Sequence, residues 1–220
     1  MDDAILSELV TAAESLRADQ TWLNLFAENI HWSSCEGLLQ CSLLGAVNRR
    51  PSALLTDREK RFSGDFGTVQ PDLIVFDRAD YWAWHEAEGD LPRRIGMVRG
   101  LVQLKMAWTR GNATRSAAIT QKAKAVAEDA GKLARFSTAY PQCRAYLGVT
   151  VAGFHQRGEG EGKVGEASAL IRQRLREAGH SIREVSLDML ADVALTYWAS
   201  FGRGEDANVL SARLLLVRVG

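Results

Sequence analysis

The sequence predicts a mixed α/β fold, with a central β-sheet flanked by helices. Three observations carry this expectation. Some segments repeat apolar residues at helical spacing, others run apolar without a break, and the two kinds alternate along the chain. Such alternation argues for helices packed on the faces of one sheet. The chain has 220 residues, 46% of them hydrophobic, which suits one domain with a real core and is too apolar for a disordered chain.

The elements follow in order. "DDAILSELVTAAESL" sets Ile5, Leu9, Ala13 and Leu16 on one stripe of an amphipathic helix. A second helix over residues 33–50 opens with Ser33 and Glu36 in capping-box spacing and ends at Arg49 and Arg50 before Pro51. "TDREKRFSGDFGTVQ" is polar and carries glycines, so it reads as a loop or a short first strand. "PDLIVFD" at 71–77 and the stretch 98–107, which includes "LVQLKMA", read as strands. The connection between them, "RADYWAWHEAEGDLPRRIG", is rich in tryptophan and charge for a hairpin. If extended, it puts Trp82 and Trp84 on one face, where packing is favoured over stacking on bases.

A helix over 114–136 follows, with Ile119, Ala123, Val126, Ala130 and Leu133 at helical spacing. "RAYLGVTVAGF" is the next strand, and "EASALIRQRLREAG" a basic helix closed by Gly179. "SLDMLADVALTYWASFG" reads as a helix with Ser186 as N-cap, and "NVLSARLLLVRV" as a final strand. One domain spans 1–220: a core over about 33–152, a helical N-terminal extension over 1–32, and a C-terminal elaboration of helix and strand over 166–220.

Composition removes some function classes. Lys plus Arg is 27 and Asp plus Glu is 27, so no whole-chain field steers the protein toward nucleic acid, although a local basic cleft is compatible with that balance. Cys35, Cys41 and Cys143 cannot all pair and show no CxxC spacing, which predicts a reduced, cytoplasmic setting. The acidic start lacks the pattern of a signal peptide, and no apolar run reaches membrane-span length.

The chemistry concentrates in the two central strands. Gln103 and Lys105 project to one face while Leu104 and Met106 project to the other. If the strands pair antiparallel, Asp72 at the start of the first comes beside Gln103 and Lys105. An oxygen-rich set of this kind suits Mg²⁺ and phosphodiester hydrolysis, with a lysine to orient the attacking water.

Pro71-Asp72, about thirty residues, then an apolar strand bearing Gln103-Leu104-Lys105 resembles the PD-(D/E)xK nuclease superfamily, in its Q-x-K variant. The resemblance covers roughly 33–152 and implies a restriction-endonuclease-like αβββαβ core. It implies Asp72 and Gln103 as metal ligands, the carbonyl of Leu104 as a further ligand, and Lys105 as the catalytic lysine. Glu36 is the acidic residue expected from the first core helix, aligned with Leu39, Leu43 and Val47. Asp129, Lys132 and Leu133 match the Asp and basic–hydrophobic pair often found on the helix after the lysine strand.

The implied protein is a Mg²⁺-dependent DNA endonuclease, with Mn²⁺ as substitute, acting as a homodimer in restriction, repair or defence. Arg49, Arg50, Arg93, Arg94, Lys122 and Lys124 are candidate phosphate contacts. The departure is Gln103, whose neutral amide removes one negative charge and gives Glu36 more weight.

Plainer readings stand beside these. Asp72 suits a strand-opening turn, Lys105 suits a snorkelling strand end, and the capping box accounts for Glu36. A buried Lys105 needs a partner, which Asp72 supplies in the expected hairpin. His85 reads as a surface histidine, and His31 with Cys35 and Cys41 matches no common zinc spacing. "GEGKVG" at 160–165 fits G-x-G-x-x-G, but Glu159 and Glu161 would repel a pyrophosphate. Two alternatives therefore accompany the nuclease: an inactive nucleic-acid-binding or scaffolding protein of the same fold, and a nucleotide-binding enzyme using the glycine loop.

Overall fold

The structure, a computed structural model, describes residues 3–29, 35–58, 61–64, 67–109, 116–156, 162–188 and 208–220. Three helices come first: α1 (Ala4–Arg17), α2 (Gln20–Asn29) and α3 (Cys35–Arg49). Then follow β1 (Leu54–Arg58), a small hairpin of β2 (Phe62–Gly64) and β3 (Gly67–Val69), and β4 (Leu73–Asp77). A 3-10 turn leads into α4 (Tyr81–Glu86) and α5 (Leu91–Met97) before β5 (Val98–Thr109). The chain continues through α6 (Ser116–Ala139), β6 (Arg144–Gln156), α7 (Gly162–Glu177), β7 (Ser181–Asp188) and β8 (Asn208–Val219).

Six strands form one sheet in the order β1-β4-β5-β6-β8-β7, and only the β5–β6 pair is parallel. Strand parity assigns its two faces. Leu73, Val75, Val102, Leu104, Leu214 and Leu216 bury against α1, α2 and α3. Ile74, Phe76, Leu101, Leu147, Val149 and Leu215 bury under α6 and α7. Central strands covered on both faces are apolar at successive positions, which is why "LIVF" and "RLLLV" run without alternation.

The helical stripes read from the sequence are the buried ones. Ile5, Leu9, Ala13 and Leu16 of α1, and Ile119, Ala123, Val126, Ala130 and Leu133 of α6, all lie in the core. The Asp3 carboxylate caps α1 by accepting from the Leu6 amide at 3.2 Å. At the end of α7, Gly179 takes a φ of +84°, while its amide and that of His180 donate to the carbonyls of Arg176 and Leu175. That Schellman closure favours the residue without a Cβ.

Three expectations change. The polar stretch after residue 56 holds the end of β1 and a separate two-stranded hairpin rather than one loop or strand. Residues 186–188 belong to β7, where Ser186 opposes Arg213 in β8, so Ser186 is not a helix N-cap. Pairing along the edge of the sheet decides its conformation over local capping propensity, and residues 189–202 of the expected helix lie outside the described residues.

The tryptophan-rich connection is helical, so Trp82 and Trp84 do not share a face. Trp82 is 74% exposed, whereas Trp84 is fully buried, stacked 5.0 Å from Phe76. No helix among the described residues is long and apolar enough to cross a membrane.

Candidate functional site

β4 and β5 pair antiparallel with Leu73 opposite Val102. Continuing that register sets Asp72 opposite Gln103, one residue before the start of β4. The Leu104 amide therefore meets no β4 backbone partner there, and the Asp72 carboxylate takes that place. Its Oδ2 accepts from the Leu104 N–H and from the Gln103 side-chain amide, both at 2.6 Å. The Asp72 backbone carbonyl accepts from Gln40 Nε2 of α3 at 2.6 Å, which fixes the strand mouth against the helix.

These side chains open into a cavity of about 460 Å³ lined by Glu36, Asp72, Gln103, Lys105, Asp129 and Lys132, with Thr68, Val69, Gln70 and Leu133. Glu36 comes from the first turn of α3, on the same helix face as Gln40 and the buried Leu39, Leu43 and Val47. Asp129, Lys132 and Leu133 come from α6 on the opposite face of the sheet. The end of the β2–β3 hairpin supplies a third wall.

Burial pushes the Glu36 carboxyl above its ordinary value. The Lys105 ammonium pulls it back, while the Asp72 and Asp129 carboxylates reinforce the upward shift. An acid of this kind holds its proton more readily than a free carboxyl group.

The cavity thus brings together Asp72, Gln103, Lys105 and Glu36, the four residues singled out from the sequence. The ion pairing adds one residue. Lys105 Nζ lies 3.6 Å from Asp129 Oδ2, so α6 supplies a carboxylate partner for it. Asp129 Oδ1 is in turn 2.7 Å from Lys132 Nζ.

The six basic residues expected to meet phosphate do not line this cavity. Arg49 and Arg50 sit at the far end of α3 from Glu36; Arg49 donates to the Gly45 carbonyl, and Arg50 pairs with Glu8 at 2.7 Å. Arg93 is exposed beside Glu86, and Arg94 is 8% exposed, 5.0 Å above the Trp84 ring. Lys122 and Lys124 lie on α6 N-terminal to Asp129. Of the cavity's two lysines, Lys132 carried only a weak motif signal in the sequence, and Gln40 and Thr68 carried none.

The donors are hard oxygens, the class that suits Mg²⁺. Among the described residues, no three His, Cys, Asp or Glu side chains group closely enough to hold a metal ion by themselves. A cation here would need the Gln103 amide oxygen and the Leu104 carbonyl in addition to Asp72 and Glu36. The strand geometry allows it, because the carbonyl of a strand residue projects to the same edge as its N–H, and that of Leu104 points beyond the start of β4.

The charge balance fits too. With all groups ionised, the cavity holds three carboxylates and two ammonium groups, a net of minus one. A divalent cation would make that plus one, and a phosphodiester would neutralise it. Comparison of the chain with protein-family models, curated proteins and solved structures finds no match.

Proposed function

We propose that the protein is a Mg²⁺-dependent endonuclease hydrolysing phosphodiester bonds in DNA, with a restriction-endonuclease-like core. The observation that carries the reading is the convergence of Asp72, Gln103, Lys105 and Glu36 in one polar cavity at the mouth of the β4–β5 pair. The order of elements supports it: helix α3, the antiparallel strands β1, β4 and β5, helix α6, then β6 parallel to β5. That is the αβββαβ order of the PD-(D/E)xK superfamily, with α4, α5 and the β2–β3 hairpin inserted.

Asp72, Gln103, the Leu104 carbonyl and Glu36 are the residues that would hold the cation. When bound, Mg²⁺ supplies a Lewis acid that polarises the phosphate and eases ionisation of the attacking water. The chain's own residues do the rest. Gln103 and the Leu104 amide hold the Asp72 carboxylate in one orientation, so its geometry is set before substrate arrives. Lys105, 34% exposed on the cavity wall, orients the water and meets the phosphate oxygens. A homodimer would present two such sites to the two strands of a duplex.

The test is cleavage of plasmid DNA with Mg²⁺ or Mn²⁺, run beside Asp72→Ala and Lys105→Ala. Loss of about 10²-fold or more in each variant is expected. Cleavage that survives both substitutions would sink the assignment. DNA binding without cleavage by the wild type would instead favour the inactive scaffold.

A further inference from the structure

Lysine at position 105 carries a flexible four-carbon stem, so a catalytic amine there needs something to hold it still. Asp72 Oδ2 accepts from Gln103 and from the Leu104 amide, so that oxygen is directed along β5. A second carboxylate faces the lysine across the cavity, on α6. Asp129 places one oxygen 3.6 Å from Lys105 Nζ and the other 2.7 Å from Lys132 Nζ.

The two contacts are unequal, and the inequality is informative. Lys132 lies three residues on along the same helix, so its short bond pins the Asp129 carboxylate to α6. The longer contact to Lys105 crosses from one element to another. It leaves the ammonium of Lys105 room to turn toward a ligand while limiting where it can go. Asp129 is only 22% exposed, which keeps the pair from being screened as a surface pair would be. The helix is anchored here by Ala130 and Leu133, each the next residue after one of the pair and both buried in the core.

We infer that Asp129 is a positioning residue for Lys105, anchored by Lys132, and that it acts through the lysine rather than on the metal or the phosphate. The inference rests on the proposed nuclease reading for its meaning, but not for its test.

The experiment has two arms. In the metal-free, DNA-free protein, lysines are labelled briefly with acetic anhydride and quantified by mass spectrometry in wild type, Asp129→Asn and Asp129→Glu. Lys105 labelling is expected to rise about threefold or more in Asp129→Asn relative to Lys124, and to return toward wild type in Asp129→Glu. In the Mg²⁺ cleavage assay, Asp129→Asn is expected to lower kcat about tenfold or more, with KM for DNA changed far less, because a misplaced catalytic group damages the reacting geometry.

Unchanged Lys105 labelling in Asp129→Asn overturns the inference whatever the cleavage result. A raised label with kcat unchanged overturns it as well, because Lys105 is then freed without consequence. Should the wild type cut no DNA, the nuclease reading fails separately, and the labelling arm alone decides whether Asp129 holds Lys105.

Discussion

Glu36 illustrates how a single residue can be costly to the fold and useful to a site. Burial lifts its carboxyl above the ordinary value of 4.5, so the folded protein binds that proton more tightly than the unfolded chain does. The sign follows: stability contributed at low pH is lost as pH rises from 4.5 through the folded value, and ionised Glu36 is a net liability at neutral pH. In the metal-free protein, Glu36→Gln should therefore raise the Tm at pH 7.5, and the gain should fade as pH falls from the folded value toward 4.5, where it is lost. Thermal melts of the two proteins in chelator across that range check it. A Tm that falls at neutral pH would mean that attraction to Lys105 outweighs burial. Gln103 makes the complementary point. Its amide donates to Asp72, a bond that an ionised glutamate could not make, so the neutral side chain both removes a charge and orients the remaining one.

At the scale of elements, the connection between β4 and β5 separates structure from surface. Trp84 is fully buried, stacks on Phe76, lies under Arg94 and donates from Nε1 to Asp57 Oδ2 at 2.9 Å. Trp84→Ala should lower stability by about 3–5 kcal/mol, the usual effect of emptying a buried aromatic site. Trp82 is mostly exposed, and Trp82→Ala should stay within about 0.5 kcal/mol. Urea unfolding of the two variants checks both. Equal effects would contradict the helical arrangement of α4. The α3 helix works in the opposite sense, as part of the site: Gln40 ties it to the Asp72 carbonyl, and one turn earlier Glu36 enters the cavity. Farther along, Asn48 bonds both the amide and the carbonyl of Thr56, so the same helix also registers β1.

Across the whole molecule, Asp3 joins the first helix to strands from the far end of the chain. Its carboxylate caps α1, accepts from Tyr146 Oη at 2.7 Å and Arg144 at 3.2 Å, and lies 3.6 Å from Arg218. Desolvation and the neighbouring Asp3 carboxylate push the Tyr146 hydroxyl well up, so it stays a neutral donor. Asp3→Ala should reduce stability by about 2 kcal/mol, combining a lost cap with the buried Tyr146 hydroxyl left unpaired. Because Asp3 does not line the cavity, the proposed metal-dependent cleavage per folded molecule should be unchanged. Chemical denaturation beside the cleavage assay separates the two effects, and a loss of activity in fully folded protein would contradict it.

The sequence by itself determined the alternation of helices and strands, the buried stripes of α1, α3 and α6, and the meeting of Asp72 with Gln103. Those features depend on local periodicity and on the parity of one hairpin, which a linear sequence carries. It also marked Glu36, because helical spacing from Leu39, Leu43 and Val47 fixes which way a side chain leans. Tertiary structure decided the rest. The contact of Lys105 with Asp129 depends on how α6 docks across the sheet, and no spacing along the chain encodes a docking angle. Ser186 joins an edge strand because β8 lies beside it, and Trp82 parts from Trp84 because the connection coils rather than extends. In each case the outcome was set by contacts between residues distant in sequence, whose energies local propensity does not contain.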